Sequence, residues 1–124
     1  MLRLEHQDSS SVSSLNYFNI QEVLDSVEVY EESASQWRMY EFTLLEKRSG
    51  VSAVVLDNKI YILGGYDGTN RLKSVECFSP GNVRPIRHLV PDMLRRRSNF
   101  AVSVLDGKIY VSGRSICLIN GRSL

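Results

Sequence analysis

An internal repeat of 49 residues constrains this chain more than any other feature. Residues 48–64 read RSGVSAVVLDNKIYILG and residues 97–113 read RSNFAVSVLDGKIYVSG, aligned without a gap. A second pair, LDSVEVY at 24–30 and LKSVECF at 72–78, recurs at a spacing of 48. The one-residue difference fits a small insertion in a connecting loop. A repeat of this kind means that one supersecondary unit is used more than once, each copy burying its apolar face against the next.

The pattern inside the unit is that of short strands. Val51–Leu56 is a β-rich run, Asp57-Asn58 is a turn pair, and Lys59–Leu63 is a second run ended by Gly64-Gly65. The second copy carries Asp106-Gly107 at the same turn, a strong hairpin signal because both residues tolerate positive φ. A third strand is expected at Val75–Phe78 and a fourth at Trp37–Phe42, with a weaker counterpart at Arg84–Leu89. Four short strands recurring near every 50 residues predict an all-β fold built of propeller blades, not a helical solenoid with repeats of roughly 33–47 residues. Gly64 and Gly65 fit a place where neighbouring backbones crowd. Trp37 is expected to pack between blades.

These segments resemble the kelch repeats of the kelch-like family. The resemblance is carried by Arg48-Ser49-Gly50, Lys59-Ile60-Tyr61, Gly64-Gly65, the loop Tyr66-Asp67-Gly68-Thr69-Asn70-Arg71, Ser74-Val75-Glu76 and Trp37, with Tyr110 and Gly113 repeating Tyr61 and Gly64. It covers residues 24–113 and implies a partial kelch β-propeller, about two blades' worth of four-stranded antiparallel sheet. Members of the family join a BTB domain, which docks onto cullin-3, to a helical BACK domain and a propeller that captures the protein to be ubiquitinated. Other kelch proteins bind actin. The resemblance therefore implies a non-enzymatic binding module: the substrate-recognition part of a cullin-3 ligase adaptor, or an actin-binding module. The opening residues carry no long apolar segment of a secretory signal, so the expected address is the cytoplasm. Cullin-3 itself would be reached only through a BTB domain, which this sequence lacks.

The departures shape the expected organisation. Residues 1–23 are polar and serine-rich, and Leu15-Asn16 stand where a double glycine is expected, so this stretch reads as a disordered leader. Residues 24–48 read as a partial unit, 49–97 as a full unit and 98–124 as a truncated one. Pro85 stands in the place of Trp37, and Arg114 in that of Gly65. Three repeats are the usual minimum for stability, and open strand edges invite pairing or aggregation. A fragment that does not fold alone is therefore a third reading.

Little else points to chemistry. A net charge of +1 gives no general pull toward nucleic acid or a membrane surface. No apolar run reaches the roughly 18 residues that span a bilayer. Cys77 and Cys117 lack metal or redox spacing, and Cys77 aligns with Val29, which marks it as a small buried hydrophobe. His6 and His88 have no second histidine nearby in sequence, so no metal site or cofactor is expected. Gly64–Gly68 lacks the Gly-Lys-Ser/Thr of a phosphate loop. Arg95-Arg96-Arg97 reads as a solvated surface without interleaved aromatics, although Arg96-Arg97-Ser98 also suits a basophilic kinase.

In the family the resemblance points to, partners lie across one mouth of the propeller. On this chain the matching positions are Tyr66, Asn70 and Arg71 in the loop after the double glycine, then Arg48, Ser49, Arg97 and Ser98. Arginine forks and serine hydroxyls suit carboxylates, so a protein substrate presenting an acidic peptide is the expected ligand. Arg48 and Arg97 have a second reading, in which they only bridge blades.

Overall fold

The computed structural model describes the backbone of residues 2–8, 11–17, 22–81, 83–113, 118–119 and 122–123, and the side chains of 22–81 and 83–113. Twelve strands are described: β1 (Leu2–Asp8), β2 (Ser11–Tyr17), β3 (Leu24–Glu31), β4 (Gln36–Arg48), β5 (Ser52–Leu56), β6 (Lys59–Leu63), β7 (Val75–Ser79), β8 (Ile86–His88), β9 (Ala101–Leu105), β10 (Lys108–Ser112), β11 (Leu118–Ile119) and β12 (Arg122–Ser123). A single 3-10 turn at Glu32–Ala34 joins β3 to β4.

The second sheet is the plainest expression of the repeat. Its order is β5-β6-β7-β8, antiparallel throughout, so chain order and spatial order coincide. Asp57 and Asn58 lie at φ 52° and 58°, the geometry that matches the twist of a two-residue hairpin. Asp106 and Gly107 repeat it at 50° and 71° between β9 and β10. Pro85 immediately precedes β8, which is only three residues long. Proline cannot donate to the ladder, which suits this short outer strand.

The first sheet differs from expectation. Leu2–Asp8 and Ser11–Tyr17, expected as a disordered leader, form an antiparallel hairpin in a sheet of order β2-β1-β3-β4. The hairpin enters reversed, with its second strand outermost from β3, so β1 meets β3 in parallel from Leu2↔Val27 to Glu5↔Tyr30. β2 thereby takes the place in this sheet that β5 takes in the next. β2 lies beside β5, and β5 beside β9, where the Ser52 hydroxyl donates to the Phe100 carbonyl at 2.5 Å. The result is an all-β partial propeller.

The core lies between the two four-stranded sheets. Val27, Phe42 and Leu44 come from the first sheet, and Ile60, Ile62 and Phe78 from the second. Period-two alternation puts Phe42 and Leu44 inward while Glu41, Thr43 and Leu45 stay exposed. The Phe42 and Phe78 rings sit 4.3 Å apart, and the Arg87 guanidinium covers Phe42 at 3.9 Å. Trp37, expected between blades, is half-buried near the far end of β4, 5.2 Å from the Tyr30 ring of the neighbouring strand. Phe42 takes the inter-sheet place because it lies five residues further along this 13-residue strand.

Neither sheet has a core without the other, so both are expected to unfold in one transition. Trp37 is the chain's single tryptophan and lies in the first sheet, beside Tyr30. Its fluorescence and the far-ultraviolet circular dichroism should share one midpoint in urea. A Trp37 transition that clearly precedes the loss of strand signal would show independent units.

Candidate partner-binding face

The double glycine sets the site. Gly64 and Gly65 lie at φ +59° and +101°, and a Cβ on Gly65 would come within 2.6 Å of the Ser49 carbonyl. This close approach turns the chain out of β6 into residues 66–71 and ties it on both sides. Ser49 and Tyr66 exchange backbone bonds at 2.9 and 2.8 Å. Gly65 N–H donates to the Arg97 carbonyl at 2.8 Å, and Arg97 N–H to the Leu72 carbonyl at 3.0 Å. Within the loop, Asp67 Oδ1 accepts from the amides of Thr69 and Asn70 at 2.7 and 2.6 Å. Those two bonds hold the Asp67 carboxyl below its ordinary range.

These ties bring four of the expected residues together. Tyr66 is 39% exposed, and its hydroxyl donates to the Gly68 carbonyl. Asn70 is exposed, and Arg71 and Ser98 are half-buried. Arg71 Nε donates to Ser98 Oγ at 3.1 Å across the two units. Among the described residues, the terminal nitrogens of Arg71 have no hydrogen-bond partner. Arg96, outside the expected set, joins them by donating from Nη1 to the Arg71 carbonyl at 2.9 Å. The basic run 95–97 held the signal for it.

Arg48 and Ser49, also expected on this face, are instead buried, each 5% exposed. All five N–H donors of Arg48 are engaged. Nε reaches Glu76, Nη1 the carbonyls of Gly64 and Ser74, and Nη2 the side chains of Glu46 and Ser74. A guanidinium has no sixth donor to offer a ligand. Arg97 repeats one of these bonds, from Nη1 to the Gly113 carbonyl at 2.9 Å, as Arg48 does to Gly64. Of the two readings left open for these arginines, blade bridging describes Arg48, and half-buried Arg97 shares it.

Tyr61 stands opposite Cys77 in the β6–β7 ladder. Burial pushes both the Tyr61 hydroxyl and the Cys77 thiol up from their ordinary values, which leaves Cys77 a poor nucleophile. Tyr110, the repeat partner of Tyr61, is 50% exposed because among the described residues no third strand covers β10. Gly113 lies at φ +125° against Phe100. His88 shares a 2.9 Å hydrogen bond with the Ser79 hydroxyl. Among the described residues no three His, Cys, Asp or Glu side chains converge to hold a metal ion, and no helix is long and apolar enough to cross a membrane. The side chains of His6 and Cys117 lie outside the described residues.

Residues 47–82 match the kelch motif. The chain is 32% identical over 74 residues to kelch repeat-containing protein kel-10 of Caenorhabditis elegans, covering 60% of this chain and 12% of that protein. It is 38% identical over 52 residues to kelch-like protein 25 of Rattus norvegicus, covering 41% and 8% respectively, and the same figures hold for Mus musculus. The chain thus spans about a tenth of the length of the curated relatives it matches. With the motif falling on the sheet that repeats most regularly, the chain is an all-β partial propeller that carries a kelch motif and is similar over that repeat to the kelch-like proteins.

Proposed function

We propose that this chain is the partner-capturing part of a larger protein, and that Tyr66, Asn70, Arg71, Arg96 and Ser98 hold an acidic peptide segment of that partner. The observation that carries this reading is the placement of Arg71. Its Nε is held by a neutral hydroxyl from the next unit, and the outer edge of its guanidinium is unengaged among the described residues. That edge is the planar fork that grips a carboxylate through two parallel bonds. Arg96, which donates to the Arg71 carbonyl, and its neighbour Arg95 are exposed and add positive charge, while Tyr66 offers a flat apolar body. In the full protein, capture would present the partner for ubiquitination through cullin-3, with the cullin contact made by another domain.

Fluorescence anisotropy with a labelled glutamate-rich peptide and a lysine-rich control tests this on the full chain. The acidic peptide should bind, weaken with salt, and lose about tenfold or more in affinity in Arg71→Ala, as expected for a lost charge-assisted bond. Equal binding of the two peptides, or an unchanged affinity in Arg71→Ala, would sink the reading. Cosedimentation with actin filaments that is indifferent to Arg71→Ala would favour a cytoskeletal role instead.

A further inference from the structure

The repeat produces two Arg-Ser pairs, and the structure treats them differently. Ser49 is buried with its hydroxyl on the Tyr66 carbonyl, behind an Arg48 whose donors are all spent. Ser98, its partner 49 residues on, is half-buried in the irregular connection between β8 and β9. It is preceded by Arg95 and Arg96, both exposed, where the first unit has Glu46 and Lys47. Arginines three and two residues before a serine are what a basophilic protein kinase grips with its own carboxylates. The exchange of Glu46 for Arg95 creates that pattern in the second unit alone.

We propose that Ser98 is a phosphoacceptor for such a kinase, and that its phosphate closes the face to acidic partners. In the transfer, Ser98 Oγ forms a bond to the γ-phosphorus of a nucleoside triphosphate. The bond from that phosphorus to the β–γ bridging oxygen breaks, the diphosphate leaves, and the hydroxyl proton passes to the kinase's base. The product places a group of nearly two negative charges on the oxygen that now accepts Arg71 Nε at 3.1 Å. A neutral contact becomes a charge-assisted one, and the fork of Arg71 is taken by its own chain. Backbone bonds at Arg97 and Asn99 hold the segment against Leu72, Gly65 and Gly50, so the kinase draws on a locally opened state.

The second half of this proposal rests on the acidic-peptide reading above; the first half does not. The full chain is incubated with the catalytic domain of a basophilic kinase and ATP, the site is mapped by peptide mass, and the product is titrated with the glutamate-rich peptide. One phosphate should map to Ser98, vanish in Ser98→Ala, return in Ser98→Thr, and form about tenfold more slowly in Arg95→Gln/Arg96→Gln. The phosphorylated chain should bind the acidic peptide at least about tenfold more weakly than the unmodified chain. No phosphate on Ser98, under conditions where a free peptide of residues 92–101 is fully phosphorylated, overturns the acceptor. Phosphate on Ser98 with unchanged peptide affinity overturns the closing of the face. An unmodified chain that binds no acidic peptide overturns the binding reading and this closing together, while the mapping still decides the acceptor.

Discussion

Glu76→Ala is expected to lower the stability of the chain by about 3–5 kcal/mol in urea unfolding, the range for breaking one side of a buried ion pair. The Glu76 side chain is 7% exposed and reaches from β7 of the second sheet into β4 of the first. Oε1 accepts from the Leu45 amide at 2.7 Å and from Arg87 Nη1 at 3.3 Å; Oε2 accepts from Arg48 Nε at 3.0 Å and from the Glu46 amide at 3.3 Å. Alanine deprives four donors of their acceptor at once. It also leaves the fully buried Arg48 charge with only the half-exposed Glu46 carboxylate. Arg87→Met removes a partner that is 37% exposed and should cost only about 1 kcal/mol. The double variant Arg48→Met/Glu76→Met should be less destabilised than the sum of its singles by about 1–3 kcal/mol, since no charge is then stranded. A loss below about 1 kcal/mol in Glu76→Ala would show that the sheets are held by their apolar core alone.

The reach of Glu76 also marks where sequence reading stops. The hairpins were legible because their signals are local: two turn residues that accept positive φ, flanked by β-rich runs. The crowding at Gly64-Gly65 was legible for the same reason, since only glycine meets it. Arg48 and Arg97, by contrast, carry the same neighbouring letters, Arg-Ser, and the first pair is buried while Ser98 is half-exposed. What separates them lies 28 residues from Arg48, in the register that brings β7 against β4. The one hint was the repeated Ser-Val-Glu at 26–28 and 74–76, read as part of a strand motif and not as the acceptor for an arginine. Trp37 was matched to the inter-blade place by residue type, whereas strand length gives that place to Phe42. Polarity suggested disorder for residues 1–23. Strand formation there depends on pairing with β3, which composition does not encode. Of the candidate face, the loop of Tyr66, Asn70 and Arg71 was legible from the motif, and its pairing with Ser98 only from the fold.

Gly64→Ala should be comparably severe, at about 3–5 kcal/mol, and the repeat supplies its own control. Alanine at φ +59° is strained, which costs about 1–3 kcal/mol, and its Cβ would overlap the Arg97 carbonyl oxygen. The ends of the Met93 and Phe100 side chains also stand 3.1 Å from that Cβ and would have to give way. That carbonyl cannot withdraw freely, because it accepts the Gly65 amide at 2.8 Å, while Gly64 N–H is itself committed to the Ser74 carbonyl at 3.0 Å. Forced overpacking adds about 1–3 kcal/mol. Gly107 has a similar φ of +71°, but a Cβ there meets nothing within 4 Å. Gly107→Ala should therefore cost only the left-handed penalty of about 1 kcal/mol. Gly107→Asn should be nearly neutral, since Asn58 holds the matching turn position at φ 58°. Urea midpoints of the three variants separate backbone strain from close approach. Because the displaced carbonyl belongs to the residue before Ser98, Gly64→Ala should also weaken acidic-peptide binding at urea-free conditions where the variant remains folded. Equal losses in Gly64→Ala and Gly107→Ala would mean that φ alone selects glycine here, and that the two units do not press on each other at this point.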